Sequence, residues 1–214
     1  VTALGQSRRR ILRAAAFAVT LAGLGCTEAP STEPAQSDDR NADSLAGQFL
    51  VATPSIGDPR FSGTVILMIR HDRSGAFGLV VNRSAGRGPA AKLLEAIGIA
   101  AEGQGQIRVH YGGPVQGQNG FIVHTSDRRV EKTVAVTPSI AVTTDPAILK
   151  DIAAGNGPRQ HFIAFGYAGW GPGQLEGEIA QRAWVTSPAD ERIVFDEDME
   201  SKWRRALEAR GIAL

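Results

Sequence analysis

Four histidines, His71, His110, His124 and His161, are the side chains with the widest chemical range in this sequence of 214 residues. His71 and His124 each close an apolar run. An imidazole held there against the carboxylate of Glu176 or Asp58 could relay a proton or help to hold a metal ion. No two histidines stand in H-x-H or H-E-x-x-H spacing, so no metal site and no cofactor are expected. No serine occupies a G-x-S-x-G elbow, which weakens acyl transfer as a reading. A catalytic set of His71, His124 and Glu176 therefore requires the fold to gather residues that are distant in sequence.

Two glycine-rich stretches are the other candidates. "GYAGWGPGQLEGEI", Gly166 to Ile179, places five glycines in the twelve residues ending at Gly177. It reads as a tight turn followed by a helix, with Pro172 in the first turn and Glu176 and Glu178 near the positive end. Bare amides at such a helix start can take an anion. Two glutamates already occupy that end, however, so packing around Tyr167 and Trp170 is the expectation. "YGGPV" could expose amides as an oxyanion hole, but no Ser or Cys stands beside it, and Gly112-Gly113 is read as a turn. The ligand-binding candidates are Asn82, Gly112, Gly113, Trp170 and Gln174, with Asn82 and Asp58 serving equally well as turn formers.

Cys26 is the only cysteine, which excludes an intrachain disulfide. It closes the segment "SRRRILRAAAFAVTLAGLGC". Ser7 to Arg13 resembles the twin-arginine export consensus, and the apolar run Ala14 to Gly25 has signal-peptide length, too short for a membrane span of about 20 residues. Gly23-Leu24-Gly25-Cys26 resembles a lipoprotein cleavage site, although Leu24 stands two rather than three residues before the cysteine. Thr27 to Ala46 is rich in Pro, Ser, Asp and Glu, as expected of a solvated tether. The expectation is a signal peptide over 1–25, a tether over 26–46 and a folded body over 47–214. Cys26 would then be lipidated and the protein anchored in the cell envelope; a cytoplasmic protein with an uncleaved leader is the alternative.

The formal net charge of +1 conceals an asymmetry. Setting aside Arg8, Arg9, Arg10 and Arg13 leaves 19 basic against 22 acidic residues, a net of −3. No basic stripe or aromatic stacking platform emerges, so nucleic acid is not an expected partner.

The elements that must position these residues are mostly strands. Expected strands are Gln48–Ala52, Thr64–Arg70, Phe77–Asn82, Ile107–Tyr111, Gly120–Thr125, Lys132–Thr137 and His161–Tyr167, with a hairpin around Ser74-Gly75. Three further helices are expected. Pro89–Ile97 has Leu93, Leu94 and Ile97 on one face. The second is capped by Asp145, starts with Pro146 and ends near Gly155. The third, Asp196–Arg210, has Met199, Trp203 and Leu207 as its core stripe. Strands joined by hairpins without regular βαβ alternation argue for an α+β domain with a mostly antiparallel or mixed sheet.

Four segments, "GQFLVATPSIGDPRFSGTVILMIRHD", "GAFGLVVNR", "YGGPVQGQNGFIVHT" and "GYAGWGPGQLEGEI", together resemble the AlgH/YqgE family of bacterial proteins. The resemblance covers Gly47 to Leu214. It implies a single domain with a curved, barrel-like sheet flanked by helices and no established activity, some members being labelled transcriptional regulators. Members usually begin near the stretch that starts here at Gly47, and residues 1–46 depart from that pattern. The expected function is non-enzymatic binding of a protein or small-molecule partner. A hydrolase-like enzyme and a cytosolic regulator are the alternatives.

Overall fold

The computed structural model describes residues 44–210. The leader, Cys26 and most of the expected tether lie outside the described residues. Ten strands form one curled, half-barrel sheet: β1 (Gln48–Ala52), β2 (Val65–Asp72), β3 (Gly75–Val80), β4 (Ser84–Pro89), β5 (Gln106–Tyr111), β6 (Val115–Thr125), β7 (Thr133–Ala135), β8 (Ile140–Thr143), β9 (His161–Trp170) and β10 (Trp184–Pro188). The helices are α1 (Ala90–Ala96), α2 (Ala147–Ala153), α3 (Gln174–Ala180), α4 (Glu191–Val194) and α5 (Met199–Glu208). This is the α+β single domain with a curved, mostly antiparallel sheet that the sequence implies.

The sheet runs β10-β1-β2-β3-β9-β6-β8-β7, with β4 and β5 branching from β9. Among the described strands only the β5–β9 pair is parallel, with Val109 opposite Ile163. β9 thus pairs with β3, β5 and β6. Alternation along the strands divides the core into faces. Phe49, Leu67, Leu79, Val123 and Phe162 pack under α4 and α5, whereas Ile66, Met68, Trp170 and Trp184 pack against α3. Ile107, Ile122 and Ile163 meet Leu94 of α1 and Ile148 and Ile152 of α2. Such burial supplies the main stabilisation, about 25 cal/mol per Å² of apolar surface.

Several boundaries differ from the sequence reading for physical reasons. Asp72 pairs with Gly75, so the β2–β3 turn is Arg73-Ser74, braced by the Asp72 carboxylate on the Ser74 amide. The glycine-rich β4 and the short β8 and β10 carry patterns too weak to predict strands. Asp145 caps α2 through the Ala147 amide, and Gly155, at φ 81°, ends it as expected. Pro172 precedes α3, whose N-cap is the left-handed Gly173. Ile97 is exposed, so the buried face of α1 is Ala90, Ala91 and Leu94.

The stripe of α5 is also rotated from the expected one. Ser201, Lys202, Ala206 and Leu207 are buried, while Trp203 is only partly so and donates its indole N–H to Ala52 O at 2.7 Å. Lys202 is the unforeseen member. Its side chain is fully buried, and its Nζ donates to Val81 O and Val194 O, each at 2.8 Å. The last residues assigned to the tether are tied to the body as well: the Leu45 amide donates to His71 Nδ1 at 3.1 Å and the Ser44 hydroxyl to His71 O at 2.9 Å.

Candidate functional site

The end of β9 and the start of α3 build the most developed site. Gly169-Trp170 finishes the strand, and beyond Gly171 the residue Gly173, at φ 72°, reverses the chain into α3. A helix places residues four apart on one side, so Gln174 and Glu178 face the same way. Arg182, at φ 60°, turns the chain again so that Trp184 opens β10 beside Trp170. The Arg182 carbonyl accepts the Thr53 hydroxyl at 2.7 Å, which ties down the loop leading to Asp58 and Phe61.

The Glu178 carboxylate is the hub of this arrangement. Oε2 accepts both indole N–H groups, Trp170 Nε1 at 2.9 Å and Trp184 Nε1 at 2.7 Å, and Oε1 accepts Gln174 Nε2 at 2.9 Å. Gln174 is oriented in turn by accepting the Gly171 amide at 3.1 Å. The two indoles meet edge to face at 6.0 Å, and Phe61 packs on Trp184 at 5.5 Å in the same geometry. No Lys or Arg forms an ion pair with Glu178 among the described residues. Beside it opens a cleft of about 420 Å³, walled by Phe61, Trp170, Trp184, Ile56 and Pro114, with Arg60 also lining it. Arg60 is held by the Asp58 carboxylate, which also caps the short helical turn Pro59–Phe61.

Glu178→Ala would leave two buried indole donors without acceptors. We expect it to lower the unfolding free energy by about 3 kcal/mol, read by urea titration, and to perturb tryptophan fluorescence. An unchanged midpoint and spectrum would show that the clamp carries no such weight.

The structure brings together some of the residues singled out in the sequence and separates others. Trp170 and Gln174 share the cleft, and Gly112-Gly113 delivers Pro114 to its wall. The Gly112 amide donates to Phe165 O at 2.8 Å and its carbonyl accepts the Val80 amide, so this segment joins β3 to β9. Asn82 lies elsewhere, its side chain bonding to the Val65 amide and the Gly63 carbonyl, which makes it a clamp on the start of β2.

His71 and Glu176 do meet, Nε2 to Oε1 at 2.8 Å. Because His71 Nδ1 accepts the Leu45 amide, Nε2 carries the proton and donates it to Glu176. The main-chain amide of Glu176 itself and then the His71 ring hold this carboxyl below its ordinary range. His124 is apart from that pair, with β3 and β9 standing between its strand and that of His71. It is fully buried with Nδ1 against Thr125 O at 2.8 Å, and burial pushes its ring below the ordinary histidine value. His71, His124 and Glu176 are therefore not one cluster. Among the described residues no group of three or more His, Cys, Asp or Glu side chains is placed to hold a metal ion.

Trp184 and Glu178 were not foreseen as site residues. Trp184 sits in a segment of weak pattern, and its link to Trp170 exists only through the fold. The i, i+4 spacing of Gln174 and Glu178 was the one available signal.

An α+β half-barrel with an aromatic cleft at one end of its central strand is thus the class of protein. A family model described as AlgH-like matches residues 49–214, and the chain belongs to that family. A UPF0301 protein of Methylococcus capsulatus is 43% identical over 181 residues, covering 85% of this chain and 99% of its own length. A UPF0301 protein of Rhodospirillum rubrum is 42% identical over 169 residues, covering 78% of this chain and 88% of the relative. The solution structure of the AlgH protein from Pseudomonas aeruginosa superimposes with a TM-score of 0.68 at 37% identity, over 80% of this chain and 92% of that one. A Corynebacterium diphtheriae protein, at 24% identity and TM-score 0.59 over 79% and 88% of the two chains, shares the fold.

Proposed function

We propose that this protein is a non-enzymatic binding protein, exported and held at a membrane by lipid on Cys26, which receives a small ligand in the Phe61–Trp170–Trp184 cleft. The observation that carries the binding reading is the Glu178 carboxylate, fixed by three neutral donors beside an aromatic wall and in no ion pair with Lys or Arg among the described residues, Arg60 of the same lining being held by Asp58. A charge oriented in this way accepts a donor from outside without reorganising, and the apolar wall buries the rest of the ligand. The supported ligand class is a small organic amine with an apolar body. Against catalysis, both ring nitrogens of His71 are engaged, one by the Leu45 amide and one by Glu176.

Export and anchoring rest on the sequence: the arginine pair, the apolar run and Cys26. Fractionation with palmitate labelling tests them. The wild type is expected in the membrane fraction with label, and Cys26→Ala without label. Label on the mutant, or soluble cytoplasmic protein in both cases, would overturn the anchoring. Binding is tested separately by tryptophan fluorescence with aryl-alkyl amines and their neutral analogues. Preference for the amine, lost in Glu178→Gln, is the expected result; equal response to the neutral analogues would sink it.

A further inference from the structure

The opposite end of β9 carries a second cleft of different chemistry. About 450 Å³ in volume, it is lined by three guanidinium groups, Arg87 of β4, Arg108 of β5 and Arg159 just before β9, against the single carboxylate of Glu197. The nine residue steps from His161 to Trp170 put it about 30 Å along the strand from the aromatic cleft.

Arg108 is the fixed element. Its side chain is only 12% exposed, and Nη1 donates to Phe195 O at 3.1 Å and Asp196 O at 3.2 Å. Nε and Nη2 make no hydrogen bond among the described residues. Burial disfavours the charge on Arg108, yet among the described residues the carboxylate that reaches it is no nearer than Glu197 Oε1 at 4.0 Å. That same oxygen lies 2.5 Å from Arg87, so one carboxylate spans two guanidinium groups. Glu197 is 71% exposed, and an ion pair so exposed contributes little to holding its partner. Across the cleft Arg159 pairs with Glu191 at 2.6 Å. His161 is a wall here, both its nitrogens facing main-chain carbonyls, Pro158 O and Gln106 O.

We propose that this cleft is a binding site for a small, doubly charged oxyanion, gripped by Arg87 and Arg108 with Arg159 opposite, and that Glu197 occupies the anion's place when the site is free. A guanidinium fork matches the paired oxygens of phosphate and carboxylate groups alike, so the two share one recognition chemistry. Glu197 would swing into solvent as the anion enters.

Titration calorimetry on the full chain in 0.15 M NaCl, with inorganic phosphate and with malonate as probes, tests the site. The wild type should bind at least one of them saturably in the millimolar range. Glu197→Gln, which removes the internal competitor, should tighten binding about tenfold, corresponding to roughly 1.4 kcal/mol. Arg108→Gln should weaken it by about the same factor, and the surface variant Arg87→Gln provides the same readout if the Arg108 variant fails to fold. Saturation by phosphate alone indicates a tetrahedral ligand, and by malonate alone a dicarboxylate. Absence of saturable binding of both anions in wild type and Glu197→Gln, or weaker binding in Glu197→Gln, would overturn the assignment.

Discussion

A His110→Phe variant is expected to outlast the wild type in acid by a margin that grows as the pH falls. His110 of β5 is 1% exposed, stacks on Phe162 at 4.2 Å, and makes no well-formed hydrogen bond at either ring nitrogen among the described residues. Burial, then the charges of Lys202 and Arg108, press its pKa down from 6.5 to about 3. The folded protein therefore keeps the ring neutral, whereas the unfolded chain takes up a proton below pH 6.5. Excess protons on the unfolded side mean that stability declines from about pH 6.5 down to about pH 3, by roughly 5 kcal/mol in total. Phenylalanine preserves the stack and carries no titrating group. Relative to wild type the variant should gain about 2–3 kcal/mol between pH 7 and about pH 4.5, above most of the carboxylate range. Urea titrations at several pH values measure this, and parallel curves for the two proteins would refute it.

Lys202 extends the same slope in the other direction. Desolvation, followed by the charge of Arg108, brings its ammonium from 10.5 to about 7. Here too the unfolded chain holds more protons, now between about pH 7 and 10.5, so stability climbs through that window. Lys202→Met should flatten the alkaline rise while leaving Val81 O and Val194 O without their donor.

Gly113→Ala is expected not to reach the native state, a loss beyond about 4 kcal/mol. A methyl group built on Gly113, at φ 152°, would stand 2.1 Å from the Tyr167 carbonyl carbon and 2.4 Å from the Ala168 nitrogen, both main-chain atoms. Gly112 has the same problem, its added carbon falling 2.3 Å from Gly166 O. Backbone in a paired strand cannot yield as the tip of a flexible side chain can. Gly117→Ala serves as the control. It lies in β6 with open space around it and should stay within about 0.5 kcal/mol of wild type. Soluble yield and melting temperature decide the matter: a Gly113→Ala protein melting within a few degrees of wild type would show that the main-chain contact of Gly113 with Tyr167 and Ala168 can relax.

Much of the architecture was legible because alternation and capping are local. β1, β2, β3 and β5 have strong apolar patterns, and Asp145 with Gly155 brackets α2 by cap chemistry alone. β4 was illegible because glycine and arginine carry no strand signature; it exists because β5 offers partners from His110 to Gln106. In α5 the helix was visible and its face was not. Lys202 reads as a solvent residue by type, and only two main-chain acceptors supplied by β3's exit and by α4 make its burial tolerable. The glycine-rich stretch ending at Ile179 drew attention for its turn, yet Glu178 acts through Trp184, six residues on and in another strand. His71 and Glu176, 105 positions apart, meet in the fold, but both ring nitrogens are occupied and His124 is elsewhere.

Where Gly112, Gly113 and Gly166 touch, main chain rests on main chain with no side chain between. Such a weld offers mutation almost nothing to adjust, because any added atom breaks it and there is none to remove. The side chains that hang from the two ends of β9 stand outside that contact. Each end can drift toward new preferences without disturbing the other, so a shared scaffold need not imply a shared cargo.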